Sequence, residues 1–188
     1  MLKMQEQNEK NLKKLERVNL ACDELYKLYE DIDYYIKKET KNEVRETFFL
    51  DKLLKEEIEK YEILYPNVRI NQDINNLQLF TDKRWFSKVI GNIILNSLKY
   101  NRDDNDISIY TKDNNLIIED SGIGMSESEL FMIFDRYYQG KNKKDGFGIG
   151  LSIVKAFCDE NKILIKIESK LGKGTKINLD LDKIVKIC

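Results

Sequence analysis

Two glycine-rich turns, Asp120-Ser-Gly-Ile-Gly124 and Gly146-Phe-Gly-Ile-Gly-Leu151, constrain this 188-residue chain more than any other feature. They bracket a polar, basic and aromatic segment. Glycine has no Cβ, so the backbone can take positive φ, approach a ligand closely and point bare N–H groups at phosphate oxygens. Either turn alone is weak, because G-x-G patterns arise by chance and in ordinary turns. The pair gains meaning only from a third element upstream.

That element is Asn92-Ile-Ile-Leu-Asn96-Ser-Leu-Lys99-Tyr100-Asn101, at the end of an apolar segment that begins near Trp85. Phe86, Val89, Ile90, Ile93 and Ile94 recur at helical spacing and predict one buried face. Asn92, Asn96 and Lys99 fall at i, i+4 and i+7 on another. A carboxamide oxygen is a hard donor that can complete the shell of a Mg²⁺ held mainly by phosphates, and a lysine can pair with a phosphate oxygen. For the asparagines alone, a solvated face with no role is an equally good account, since Asn is a poor helix former common on surfaces.

Asn-x-x-x-Asn-x-x-Lys-Tyr, then Asp-x-Gly-x-Gly, then Ile133-Phe134-Asp135-Arg136-Tyr137-Tyr138, then Gly-x-Gly-x-Gly-Leu, in this order, resemble the catalytic ATP-binding domain of sensor histidine kinases. That domain belongs to a superfamily shared with gyrase, a heat-shock chaperone and the mismatch-repair ATPases. The similarity runs from about Phe48 to Asp182. It implies ATP and Mg²⁺ as cofactors, with Asn96 as metal ligand, Asn92 assisting it and Lys99 contacting phosphate, the three forming the catalytic set. It implies further that Tyr100 lies against adenine and that Asp120 accepts a hydrogen bond from the exocyclic amine. Gly122, Gly124, Gly146, Gly148, Gly150 and Leu151 would enclose the nucleotide, together with Phe134, Arg136 and Tyr137 of the aromatic motif.

The sequence departs from the family pattern in three places. Tyr137 stands at the usual second phenylalanine, and Gln139 where a basic residue is common, which leaves Arg136, Lys141, Lys143 and Lys144 as candidates for the terminal phosphate. The chain contains no histidine, so it holds no phosphoacceptor; the acceptor helix is expected in a longer sensor upstream of Met1, the alternative being a degenerate member, an ATP-binding pseudokinase or regulatory module that cannot phosphorylate itself. Hydrolytic relatives carry a glutamate base four residues before the metal-binding asparagine. Here that position is Asn92, whose carboxamide cannot take a proton from water, and this favours phosphoryl transfer over hydrolysis.

Along the chain, residues 1–40 lack Gly and Pro, and Leu15, Val18, Cys22, Leu25, Tyr29, Ile32 and Ile36 repeat at steps of three and four. This predicts a long helix of a dimerisation bundle, hence a homodimer through that helix. A polar hinge over 41–47 and an ATP-binding domain over 48–188 follow. The domain is expected to be α+β, a two-layer sandwich with a mixed, mainly antiparallel sheet and helices on one face. A helix should begin at Phe48 and stop before Pro66. Strands are expected at 68–70, 77–79, 107–110, 116–118, 163–167 and 175–181. Thr81-Asp82 should cap the Asn96 helix, Ser126 or Ser128 a short helix over 126–134, and Gln139 to Gly148 should form a mobile lid.

The net charge of −1, with lysines and acids interleaved, excludes a basic stripe for nucleic acid. Three cysteines, Cys22, Cys158 and Cys188, show no C-x-x-C spacing and suit a reducing compartment. No apolar run approaches the ~18 residues needed to span a bilayer. The expectation is a soluble cytoplasmic portion of a membrane-anchored sensor, itself without direct membrane contact, whose partner is a response regulator receiver domain.

Overall fold

The computed structural model describes residues 14, 15, 18, 25, 29, 44–102, 106–140 and 148–186. The chain divides into two units, Met1–Asn42 and Glu43–Cys188. In the first, Leu15, Val18, Leu25 and Tyr29 are helical and exposed. The remainder of the expected 1–40 helix lies outside the described residues.

The second unit opens with a strand, β1 (Glu46–Phe49), where the sequence predicts the end of a hinge and the start of a helix. β1 pairs antiparallel with β3 (Gln78–Thr81), Phe48 opposite Leu79. Phe48 turns inward against the Phe86 ring, centroids 6.0 Å apart. Two aromatic residues suit a half-buried strand, and their apolar character continues the helical repeat that follows, which is why the boundary reads two residues early. The helix α1 (Leu50–Leu64) buries Leu50, Leu53, Leu54 and Ile58 on one face. It ends at Tyr65, whose amide donates to Tyr61 O at 2.8 Å, because Pro66 disfavours helical torsions in the residue before it.

Asp82 caps α2 (Lys83–Tyr100) by accepting from Trp85 N at 3.0 Å, and its second oxygen accepts from Val44 N at 3.3 Å. α2 buries Trp85, Phe86, Val89, Ile90, Ile93, Ile94, Ser97 and Leu98. It packs on α1 and on α4 (Gly150–Asn161), with Phe86 and Phe157 centroids 5.9 Å apart. The Tyr61 hydroxyl reaches the Gly91 carbonyl of α2 at 3.1 Å.

The main sheet has the order β2-β4-β5-β7-β6, with β2 Ile70–Asp73, β4 Ile107–Lys112, β5 Asn115–Asp120, β6 Leu164–Lys170 and β7 Gly174–Asp180. β2 and β4 are parallel and the other pairs antiparallel, the mixed, mainly antiparallel sheet that the sequence predicts. The register aligns Ile109, Ile118, Ile177 and Ile167 in one row across four strands, and Leu116, Leu179 and Ile165 in the next. These rows face the helical layer. The opposite face carries Glu119, Lys176, Glu168 and Lys166, joined by Lys176–Glu119 at 3.5 Å and Lys166–Glu168 at 2.6 Å. Strand alternation of this kind fixes which face is covered, so α2 and α4 lie on one side only. Cys158 sits within α4, fully buried, and burial pushes its thiol up to about 12, an inert core residue.

Phe86 is fully buried and touches rings from β1 and α4. Phe86→Ala is expected to cost about 3–5 kcal/mol, read as a lower urea midpoint with an unchanged slope.

Candidate functional site

The geometry begins with α2, which gathers both glycine turns. Its last residue, Tyr100, accepts from Ile123 N at 3.0 Å. A Cβ on Gly122 would lie 2.2 Å from Tyr100 O, so only glycine admits this approach. Two turns earlier, Asn92 Nδ2 donates to Gly150 O at 3.3 Å. The first turn of α4 thus rests against Asn92, with room for a Gly150 Cβ only 3.3 Å from its carboxamide oxygen. Motifs more than fifty residues apart in sequence meet on one helix. Asn96 and Lys99 lie on the same side as Asn92, half-buried.

The first glycine turn is gripped from the other side by the β6–β7 hairpin. Gly172 N donates to Ile123 O at 2.6 Å, and Met125 N to Ser169 Oγ at 2.9 Å. Gly174, at φ 95°, approaches so closely that a Cβ would stand 1.9 Å from Asp120 O. The second turn meets the aromatic motif: Tyr137 N donates to Gly148 O at 2.9 Å, and Tyr137 itself has φ 65°. Phe134 is half-buried, whereas Arg136 and Tyr137 are exposed. The short helix α3 (Glu127–Met132) starts with a capping box between Ser126 and Glu129, as the serine–acid spacing predicts. Gly146 and the lid residues Lys141, Lys143 and Lys144 lie outside the described residues.

Asp120 ends β5 as a buried carboxylate. Its Oδ1 accepts from Gly122 N at 2.9 Å and Thr175 N at 3.2 Å, and the Ser97 hydroxyl donates a third hydrogen bond from α2. Burial pushes the carboxyl above its usual range. The donors from Gly122, Ser97 and Thr175 pull it back, and Glu119 pushes it further up. Such a group is a strong acceptor.

α4 begins at Gly150 with no side-chain cap and no acid in its first turn. Its leading amides and helix dipole favour an anion there. Among the described residues no cluster of three or more His, Cys, Asp or Glu could hold a metal ion. The carboxamide beside α4 is that of Asn92, with Asn96 one turn further along α2. That set cannot capture Mg²⁺ alone but fits an ion whose shell is mostly phosphate and water.

Sequence reasoning brings Asn92, Asn96, Lys99, Tyr100, Asp120, Gly122, Gly124, Gly148, Gly150 and Leu151 to these elements. It misses Ser97, Gly174 and Thr175. The Gly172-Lys-Gly174-Thr175 stretch reads as an ordinary hairpin, and its signal was the glycine directly before a strand that pairs with Asp120.

Two outcomes follow from this geometry. Gly174→Ala places a Cβ inside a carbonyl contact at positive φ and should cost about 3 kcal/mol or more in urea unfolding. Asp120 holds its proton more tightly folded than unfolded, so its stabilising contribution is complete below the unfolded value of about 4 and is lost as pH rises through the raised folded value. Asp120→Asn, which keeps an acceptor oxygen without the charge, should melt higher than wild type at about pH 7 and equal it near pH 3.

A family profile described as "Histidine kinase-, DNA gyrase B-, and HSP90-like ATPase" matches residues 81–184, more than half of the chain. The sensor histidine kinase YxdK of Bacillus subtilis is 28% identical over 143 residues, 70% of this chain and 44% of that protein. The sensor histidine kinase GraS of Staphylococcus haemolyticus is 32% identical over 163 residues, 80% of this chain and 47% of that protein. The chain spans less than half the length of these two relatives. Among solved structures, the mycobacterial sensor histidine kinase MprB superposes with a TM-score of 0.68 at 18% identity, covering 77% of this chain and 100% of that one. The catalytic domain of histidine kinase ThkA gives 0.64 at 21%, covering 76% and 99%. Both likenesses concern the fold. The chain belongs to the histidine kinase-, DNA gyrase B- and HSP90-like ATPase family, and its second unit is a histidine-kinase catalytic ATP-binding domain.

Proposed function

We propose that this chain is the catalytic region of a two-component sensor histidine kinase, binding Mg-ATP and passing its γ-phosphoryl group to a histidine on a dimerisation helix, for relay to a response regulator. Residues 1–40 would belong to that dimerisation bundle, 41–47 to the connection and 48–188 to the catalytic domain, in a cytoplasmic portion of a membrane-anchored protein. The observation that carries the reading is the buried Asp120 carboxylate, held by Gly122 N and Thr175 N. Adenine presents an exocyclic amine that can donate to it. Guanine presents a carbonyl there, leaving two acceptors face to face.

In the transfer, a histidine nitrogen attacks the γ-phosphorus, the N–P bond forms as the bond to the bridging oxygen breaks, and ADP leaves with that electron pair. Mg²⁺, held by Asn96 and the phosphates with Asn92 beside it, would supply charge neutralisation on the phosphate oxygens. Lys99 and the amides of Gly148, Gly150 and Leu151 contribute fixed positive charge and orientation, which dominate the catalysis of phosphoryl transfer. Tyr100 lies against adenine. Phe134, Arg136, Tyr137, Gly146 and the lysines of 141–144 close over the triphosphate. Asn92 offers no base to activate water, so ATP is held for transfer.

The absence of histidine from all 188 residues also favours a second reading, an ATP-binding regulator that does not phosphorylate itself. One experiment separates the two. The chain is mixed with ATP, Mg²⁺ and a separately made helical segment containing a histidine. Acid-labile phosphate on that segment is the expected result, and nucleotide binding without labelling favours the regulator. In calorimetry, Asp120→Ala should weaken ATP by about tenfold to a hundredfold. Unaltered binding would refute the assignment of Asp120.

A further inference from the structure

Beside the first glycine turn the inward face of the sheet changes character. The row of Ile118, Ile177 and Ile167 is followed, two residues away on each strand, by Asp120, Thr175 and Ser169, aligned across β5, β7 and β6. Polar groups so placed must satisfy one another. The half-buried Ser169 hydroxyl has three partners, each at 2.9 Å: Met125 N, Gly174 O and Thr175 Oγ1. A serine hydroxyl carries one hydrogen and can accept two. The Met125 amide can only donate and the Gly174 carbonyl can only accept, so the serine hydrogen goes to Gly174 and the third bond is donated by Thr175. The Thr175 proton is thereby committed to Ser169, and its oxygen is left to accept. The Thr175 amide meanwhile donates to Asp120 Oδ1 at 3.2 Å.

We propose, resting on the adenine reading of Asp120, that Ser169 is a positioning residue for base selectivity: by taking the Thr175 proton it keeps the cross-strand pair of Asp120 and Thr175 acceptors only. Side chains directly opposite in an antiparallel pair stand about 4.5–5.5 Å apart at Cβ. A ligand group bonded to the Asp120 carboxylate is therefore within reach of the Thr175 hydroxyl. An amine there finds acceptors, whereas a carbonyl finds no hydrogen to receive. Removing the Ser169 hydroxyl releases the Thr175 rotor. Its proton can then turn to the Asp120 carboxylate, using acceptor capacity that the adenine amine needs, or to a guanine carbonyl, relieving the clash between two acceptors. Both outcomes narrow the preference for adenine. The control is exerted from β6, which β7 separates from the strand that carries Asp120.

The test measures binding of Mg-ADP and Mg-GDP by calorimetry to the full chain as wild type, Ser169→Ala, Thr175→Val and the double variant, each shown to be folded by thermal melts. Ser169→Ala should lower the ratio of ADP to GDP affinity by about fivefold to tenfold, with GDP bound at least as tightly as by wild type. Ser169→Cys, which keeps the volume and weakens all three bonds, should move the ratio in the same direction. In the Thr175→Val background, where no hydroxyl remains to be released, Ser169→Ala should leave the ratio within about twofold. Equal losses for both nucleotides would show that Ser169 only braces the hairpin, and a ratio that still falls in the Thr175→Val background would show that it does not act through Thr175. Either result overturns the proposal. A wild-type chain without preference for ADP over GDP would remove the adenine reading itself, a failure distinct from these two. Without any substitution or nucleotide, the Thr175 hydroxyl proton of the wild type should exchange slowly enough with water to be observed by NMR. A freely exchanging proton overturns the proposal whatever the variants do.

Discussion

The site depends on backbone pressed against backbone. Tyr100 O against Gly122, Asp120 O against Gly174, Lys170 O against Gly124 and Tyr138 O against Gly148 are all approaches in which a Cβ would stand between 1.9 and 2.4 Å from a carbonyl oxygen. These contacts close two turns on a helix end and a hairpin without spending side-chain volume in between. The amides are left directed by the backbone itself, where no rotamer can move them. That is the physical basis of preorganisation for a polyanionic ligand: the dipoles are fixed before it arrives.

α2 converts that local geometry into a site. Its buried stripe fixes its rotation about its own axis against the Ile109, Ile118, Ile177 and Ile167 row, and the Phe48, Phe86 and Phe157 rings fix its depth. With rotation fixed, the positions of Asn92, Asn96 and Lys99 are set to within a side-chain rotamer. Asp82 adds a connection upstream, since one carboxylate both caps α2 and binds the amide of Val44. The segment around Val44 and the helix bearing Asn92, Asn96 and Lys99 therefore share a hydrogen-bonding group.

Much of this was legible in the sequence because the informative residues are those whose chemistry is local. The 3.6-residue spacing of Phe86, Val89, Ile90, Ile93 and Ile94 announces α2, Asp82 its start, and the Ser126–Glu129 spacing the start of α3. β1 was not legible, because Phe48 and Phe49 fit either a strand or the first turn of a helix, and the choice is made by β3, thirty residues downstream. Ser97 and Thr175 were hidden for a related reason. Each is unremarkable within its own element, and each acquires a role only through a tertiary contact with Asp120. The roles of Asn96, Lys99 and Tyr100 came from resemblance, since spacing alone leaves a solvated face as good an account.

The adenine contact proposed for Asp120 would trade stability for discrimination. Burying a carboxylate is unfavourable, and burial accordingly raises the proton affinity of Asp120. An asparagine or threonine would satisfy the Gly122 and Thr175 amides at lower cost. Only an anion that donates nothing, however, accepts from an amine while leaving a carbonyl unpaired, so a neutral substitute would surrender the proposed contrast between bases even as it stabilised the fold. The surrounding donors reduce the penalty without abolishing it; a cation close enough to abolish it would compete with the proposed adenine amine for the same carboxylate. Two amides and a hydroxyl are the compromise: they hold the charge in place, add none of their own and leave acceptor capacity on the carboxylate.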